Sequence, residues 1–137
     1  RKCTSYYERI FVLNRAHLKG AAESLWFTTE AKLAEGCVSN VFLVKEGVLY
    51  TPKLDTPVLP GITRNAILEI AENEKITLEQ NDIFIKDLLT ADEVFLTNVV
   101  MGVLPVTSIE AHNVADACVG PVTGKIAAEL KKKMGIE

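Results

Sequence analysis

The stretch EGCVSNVFLVKEGVLY, residues 35–50, predicts the centre of the fold. Its middle part, NVFLVK at 40–45, is rich in the β-branched and aromatic residues that favour strands. Glu46-Gly47 separates this run from a second one, VLYT at 48–51. A two-residue connection that ends in glycine is typical of a tight hairpin. We therefore predict two antiparallel strands joined at residues 46–47, with an acid and a turn immediately before them.

Helices and further strands are predicted on both sides of this hairpin. Ser5 and Glu8 form an S-x-x-E capping box, which predicts a first helix over residues 5–19. Three prolines and a glycine make 52–61 a shaped loop, after which Thr63 opens a helix that runs to about residue 73. Strands are also expected at 24–28, near 76–79 and at 93–97, and helices near 86–90 and from Pro121 onward. The alternation predicts a mixed α/β fold, with residues 1–137 forming one domain.

Composition narrows the class of protein. With 137 residues, 48% of them hydrophobic, the chain can bury roughly two thirds of its unfolded surface. The formal charge of −3 argues against a general nucleic-acid surface, and no run of eighteen apolar residues indicates a membrane span. Three widely spaced cysteines give neither a disulfide framework nor a zinc motif, which favours a reducing, cytoplasmic location. His17 and His112 stand alone, so no metal site is predicted.

Three segments carry candidate chemistry. The amine of Lys2 could form a reversible imine with an aldehyde cofactor. A carboxylate held against a ring nitrogen keeps that nitrogen protonated and strengthens the ring as an electron sink, and the acid Glu35 precedes a glycine in the second segment. Gly61, Ile62 and Thr63 stand where a helix begins, and the free N–H groups of a first helical turn suit a phosphate. Taken singly, each has an ordinary alternative, namely a solvated terminal charge, a turn residue and a helix cap.

In combination and in this order, these segments resemble the class IV aminotransferases, the pyridoxal-phosphate enzymes of fold type IV. The resemblance extends from Arg1 to about Lys131, and it corresponds to the C-terminal, cofactor-bearing part of such an enzyme, whose strands form a barrel-like sheet with flanking helices. It is carried by Lys2, by Glu35-Gly36 with Ser39, Asn40 and Phe42 after it, and by LPGITR at 59–64. The chain begins with Arg1, so we expect a preceding N-terminal domain in the parent enzyme.

The resemblance implies a role for each candidate residue. Pyridoxal 5'-phosphate would be the cofactor, Lys2 the catalytic residue that holds it, and Glu35 the partner of its ring nitrogen. Further cofactor contacts are implied for Leu59, Gly61, Ile62 and Thr63, and for Asn98 and Val99 in the loop NVVMGVLPV at 98–106. Tyr7, Val100 and Met101 would contact a small amino substrate. The parent enzyme is expected to be a homodimer.

The loop at 98–106 bears on the reaction. Branched-chain aminotransferases usually carry Gly-Thr-Ala-Ala-Glu here, whereas this chain lacks the hydroxyl at Val99 and has larger residues after it. Thr97-Asn98 followed by apolar residues, Met101 and then Pro105-Val106 looks more like the aminodeoxychorismate lyases. The resemblance therefore favours 4-amino-4-deoxychorismate lyase activity. Branched-chain or D-amino-acid transamination is the alternative, and a noncatalytic fragment of such an enzyme is a third.

Overall fold

The computed structural model describes residues 7–56 and 58–135, which form a mixed α/β fold. The elements in chain order are α1 (Tyr7–Leu18), β1 (Leu25–Phe27), β2 (Leu33–Gly36), β3 (Asn40–Lys45), β4 (Val48–Pro52), α2 (Ile62–Asn73), β5 (Leu78–Asn81), α3 (Ile85–Leu89), β6 (Glu93–Asn98), β7 (Gly102–Pro105), β8 (Ser108–Ile109), β9 (His112–Asn113) and α4 (Pro121–Lys133). A mixed sheet with flanking helices confirms the predicted fold class.

The main sheet has five strands in the order β5-β4-β3-β6-β7. Only β4 and β5 pair in parallel, while the other neighbours are antiparallel. The predicted hairpin between β3 and β4 is confirmed, with Lys45 opposite Val48 across the turn. Glu46 and Gly47 both have positive φ, 50° and 80°, as a two-residue hairpin turn of this hand requires.

Each face of this sheet is covered by its own hydrophobic core. On one face, Phe42 of β3 and Phe95 of β6 stack with ring centroids 5.1 Å apart, under α2 and α4. Ile67, Ile70 and Ala71 of α2 are buried there, at the helical spacing of an apolar face. The other face packs against α3 and the loops around it through Leu43, Leu88, Leu96 and neighbouring residues. Because both faces of β3 are covered, the position of this strand is strongly constrained.

A small two-stranded ribbon, β1 with β2, lies beside the main sheet and carries Glu35 opposite Trp26. The N–H of Leu33 donates to the carbonyl of Ile83 at 2.6 Å, which ties the ribbon to the segment before α3. The chain then turns through residues 37–39 and enters β3 at Asn40. The acid is thereby placed at the end of the main sheet where β3 begins and β6 ends.

Several predicted boundaries are corrected by the structure. Residues 33–36 form a strand that the sequence did not indicate, and the predicted loop at 98–106 contains β7. The strand expected near 76–79 lies two residues later, and His112 lies in β9. The alternative of Thr63 as a helix cap is wrong, because α2 begins at Ile62 with Gly61 as its N-cap. The start of the first predicted helix, at Ser5, lies outside the described residues.

Candidate active site

One cavity of about 470 Å³ lies where β2, the start of β3, the end of β6 and the start of α2 meet. Seven of the residues implied by the resemblance line it: Glu35, Leu59, Gly61, Ile62, Thr63, Asn98 and Val99. Tyr7, Val100 and Met101 do not line it. Lys2 lies outside the described residues. The first turn of α1 does reach the cavity, through Glu8 and Arg9.

Glu35 presents a buried carboxylate to this cavity, with 8% of the residue exposed. Its Oε1 accepts a hydrogen bond from the N–H of Leu59 at 2.8 Å. Its Oε2 forms an ion pair with Nη2 of Arg9 at 2.9 Å. A buried carboxylate is stable when such partners replace its hydration, so these two contacts explain how the acid is accommodated.

The turn after Glu35 is organised by Glu23, a residue that the sequence did not single out. The Glu23 carboxylate accepts hydrogen bonds from the N–H groups of Cys37 and Val38 and from the Ser39 hydroxyl, at 2.8–3.1 Å. A Cβ at Gly36 would lie only 2.3 Å from the Ser39 hydroxyl oxygen and 2.8 Å from Glu23 Oε2. The glycine after the acid is therefore required for this compact turn.

The N-terminus of α2 faces the cavity without a side-chain cap or an acidic residue in its first turn. The side chain of Asn40 fixes the approach to this helix, since its Nδ2 donates to the carbonyl of Leu59 at 2.9 Å. A Cβ at Gly61 would lie 2.6 Å from Oδ1 of Asn40, so any larger residue here would displace the Asn40 side chain. Uncapped N–H groups and the positive end of the helix dipole suit an anion such as a phosphate.

Thr97 is a further cavity residue, on the strand that pairs with Asn40. It is fully buried, and its hydroxyl has no hydrogen-bond partner within the described residues. Buried hydroxyls in folded proteins are nearly always paired, so this one is available to hydrogen-bond a ligand in the cavity. The sequence offered one clue, since Thr97-Asn98 begins the loop on which the lyase resemblance rests.

Asn98 closes the turn between β6 and β7. Its Oδ1 accepts hydrogen bonds from the N–H groups of Val100 and Met101 at 2.9 and 2.7 Å, and its Nδ2 donates to the carbonyl of Val38 at 2.8 Å. The amides of residues 100 and 101 are thus engaged by Asn98. Val100 is 93% exposed, so its side chain lies outside the cavity wall.

Arg64, the last residue of LPGITR, does not line the cavity although it is fully buried. Its Nη2 donates to Oε1 of Gln80 at 2.8 Å and to the carbonyl of Pro52 at 3.2 Å. Burial lowers the pKa of this guanidinium. These contacts tie α2 to β4 and β5, so Arg64 supports the helix whose N-terminus faces the cavity.

The thiol of Cys37 gives a prediction about the cavity wall. Burial raises the pKa of Cys37, which reduces its thiolate at neutral pH, whereas Cys118 is exposed. We expect iodoacetamide to modify Cys37 at least about tenfold more slowly than Cys118, because alkylation needs an accessible thiolate. The Cys37 rate should increase with pH as the thiolate forms. Peptide mass spectrometry at timed intervals measures both rates, and equal rates at neutral pH would contradict the buried position.

Within residues 7–56 and 58–135, no cluster of potential ligands could hold a metal ion. In the same residues no helix has both the length and the apolar character needed to cross a bilayer. The cavity instead combines an acid with a fixed orientation, an uncapped helix N-terminus and an unpaired buried hydroxyl. This donor set fits a ligand that has a ring nitrogen at one end and a phosphate at the other.

Comparison with known proteins identifies the family to which this fold belongs. The family model for amino-transferase class IV matches residues 1–109. The chain therefore belongs to the class IV aminotransferases, which are pyridoxal-phosphate enzymes. This confirms the resemblance seen in the sequence.

Three similar proteins illustrate the range of this family. The D-alanine aminotransferase of Listeria monocytogenes is 36% identical over 117 residues, which are 85% of this chain and 40% of that protein. The branched-chain aminotransferase of the archaeon Thermoproteus uzoniensis, solved with norvaline, superposes with a TM-score of 0.88 at 32% identity over 93% of this chain and 42% of that one. A protein of Legionella pneumophila described as a candidate 4-amino-4-deoxychorismate lyase has a TM-score of 0.89 at 30% identity, over 94% and 47%. The chain spans about two fifths of the length of its curated relatives.

Proposed function

We propose that the protein containing this chain is a pyridoxal-phosphate enzyme that acts as a 4-amino-4-deoxychorismate lyase, releasing pyruvate and forming 4-aminobenzoate. The observation that carries the cofactor assignment is the single cavity lined by Glu35 and by the N-terminus of α2. When bound, the cofactor supplies an aldehyde that condenses with amines and a ring that accepts electron density from the substrate. The lyase assignment rests on the loop at 98–101.

Each residue of the cavity has a distinct proposed task. Glu35 accepts a hydrogen bond from the protonated ring nitrogen, because a negative carboxylate favours the protonated ring. The N–H groups of the first turn of α2 bind the phosphate, with the Thr63 hydroxyl beside them. Thr97 contributes its unpaired hydroxyl to the same ligand. Lys2 holds the aldehyde end and moves protons to and from the substrate.

Amino-group transfer is the second candidate reaction, and the names of the relatives favour it. Both branched-chain and D-alanine aminotransferases are among the proteins that this chain resembles at the sequence level. The reaction would use the same lysine, acid and phosphate site. The two reactions differ in where the proton and electrons go after the substrate loses its proton, which the loop beside the cavity can influence.

The 98–101 loop favours elimination over transfer. Val99 lines the cavity without a hydroxyl, and Asn98 holds the amides of the next two residues. Compared with the branched-chain pattern, this loop therefore lacks one hydroxyl, and the amides of Val100 and Met101 are already engaged by Asn98. A hydrogen bond to a charged group is worth about 1.5–3 kcal/mol, so we expect a preference for elimination that is one of degree.

Three parallel assays of the purified full-length protein test this proposal. We expect faster pyruvate release from aminodeoxychorismate than amino transfer from leucine or D-alanine to a 2-oxo acid. Efficient transfer from leucine with no pyruvate from aminodeoxychorismate would move the assignment to an aminotransferase. A titration with pyridoxal phosphate, followed by visible absorption, is the preceding control, because absence of a bound-cofactor band would contradict the cofactor assignment itself. The same titration on the isolated 137 residues tests the alternative of a noncatalytic fragment.

A further inference from the structure

Arg9 occupies a more constrained position than its place on α1 would suggest. No residue of α1 is buried, yet the guanidinium of Arg9 has four polar or aromatic neighbours. Nη2 lies 2.9 Å from Oε2 of Glu35, and Nη1 donates to the carbonyls of Gly36 and Cys37 at 3.1 and 3.3 Å. The guanidinium carbon lies 5.0 Å from the centre of the Trp26 ring. Four contacts of this kind fix both the position and the plane of the group.

The contacts of Arg9 determine how Glu35 is held. Of the two Glu35 oxygens, one is bonded to the loop before α2 through Leu59 and the other to α1 through Arg9. Among the described residues, this is the one ion pair that Glu35 makes. Without the guanidinium, a nearly buried negative charge would keep a single described hydrogen bond. Such a loss would leave the carboxylate free to rotate away from its present position.

We infer that Arg9 is a positioning residue for the cofactor, which acts by holding the Glu35 carboxylate in place and directed at the ring nitrogen. This inference rests on the proposed function, because it takes the cavity to be a pyridoxal-phosphate site. Arg9 lines the same cavity but belongs to a different element from the acid and the phosphate-binding helix. It therefore couples the orientation of α1, the helix that follows Lys2 in the chain, to the position of the acid.

The test compares two probes on the full-length protein. Pyridoxamine 5'-phosphate carries both the ring nitrogen and the phosphate and does not need an aldehyde, whereas inorganic phosphate carries the phosphate alone. We expect Arg9→Met and Arg9→Gln to lower the affinity for pyridoxamine phosphate on the order of tenfold, since a hydrogen bond to a charged group is lost. The affinity for inorganic phosphate should stay unchanged. Calorimetric titration measures both affinities. A general structural defect would lower the affinities for both probes equally.

Matched variants distinguish the effect of the Arg9 charge from a general effect on the structure. Arg15 lies on the same helix and stacks on Phe11 at 5.9 Å, away from Glu35, so Arg15→Met removes an equal charge and should leave both affinities unchanged. Arg9→Lys keeps the charge but loses the planar, two-ended contacts and the stacking on Trp26, so we expect it to recover only part of the pyridoxamine phosphate affinity that Arg9→Gln loses. In a Glu35→Gln background, Arg9→Gln should cause no further loss, because the acid through which it acts is gone.

Each failure has its own pattern. If the unsubstituted protein does not bind pyridoxamine phosphate, the proposed function is overturned, and the inference with it. If the unsubstituted protein and the Arg9 variants bind pyridoxamine phosphate equally well, the inference alone is overturned. Loss of affinity in Arg9→Lys as large as in Arg9→Gln, with phosphate binding intact, would show that the charge is not what matters. If Arg9→Met fails to fold, the Arg9→Gln and Arg9→Lys pair gives the same comparison.

Discussion

Replacing Lys2 with alanine in the full-length protein is expected to lower turnover on the order of 10⁴-fold or more. The amine is proposed both to hold the cofactor and to move protons, and alanine can do neither. Reduction of the bound cofactor with borohydride should attach it covalently to Lys2 in the original protein and to no residue in the variant. Initial rates and peptide mass spectrometry measure the two effects.

Attachment of the cofactor to a lysine other than Lys2 is the outcome that would contradict this prediction. The amine of Lys45 donates a hydrogen bond to the carbonyl of Thr90, and Lys53 forms ion pairs with Asp55 and Asp82. Neither lines the cavity that contains Glu35. Covalent attachment of the cofactor to Lys45 or Lys53 would contradict the assignment of Lys2. An unchanged unfolding temperature of the Lys2→Ala protein would show that lost turnover is a chemical effect.

The elements that the sequence predicted well are those specified by local patterns. The hairpin of β3 and β4 follows from two strand-forming runs and a glycine in the turn between them, where positive φ is needed. The helix α2 follows from the shaped loop before it and the apolar residues at helical spacing within it. In both cases the residues that decide the structure lie within a few positions of one another.

The missed elements depend on contacts between distant residues. LAEG at 33–36 has little strand propensity of its own, and it becomes β2 because β1 and the carbonyl of Ile83 supply its hydrogen bonds. GVLP at 102–105 becomes β7 because Asn98 closes the turn before it and β6 pairs with it. Such strands can be found only when the partner strand and its register are known.

The same distinction applies to the candidate site. Glu35, Leu59 and Gly61 could be proposed because they belong to short motifs, and they do line a single cavity. Arg9 and Glu23 could not, since each acts on residues more than ten positions away through the tertiary packing. The geometry therefore adds to the motif residues a second group, which holds the acid and its turn in place.

Replacing Glu35 with glutamine is expected to lower turnover on the order of 10²-fold or more, while cofactor affinity decreases less. Glutamine preserves the shape of the side chain but carries no negative charge, so it no longer favours a protonated ring nitrogen. The phosphate contacts of the α2 N-terminus remain and continue to support binding. Steady-state rates and a pyridoxal-phosphate titration on the same preparation separate the two effects.

Glu93→Gln is the matched control for this prediction. Glu93 is as buried as Glu35, at 7% exposed, and its carboxylate accepts the N–H groups of Val122 and Thr123 at the start of α4, away from the cavity. Its replacement removes a buried charge of the same kind and should lower the unfolding temperature, because a charged helix cap is weakened. Turnover per folded molecule should stay unchanged. Near-normal turnover in Glu35→Gln would mean that Glu35 serves only the turn, whereas a loss confined to Glu35→Gln ties the charge at the end of β2 to the chemistry of the cavity.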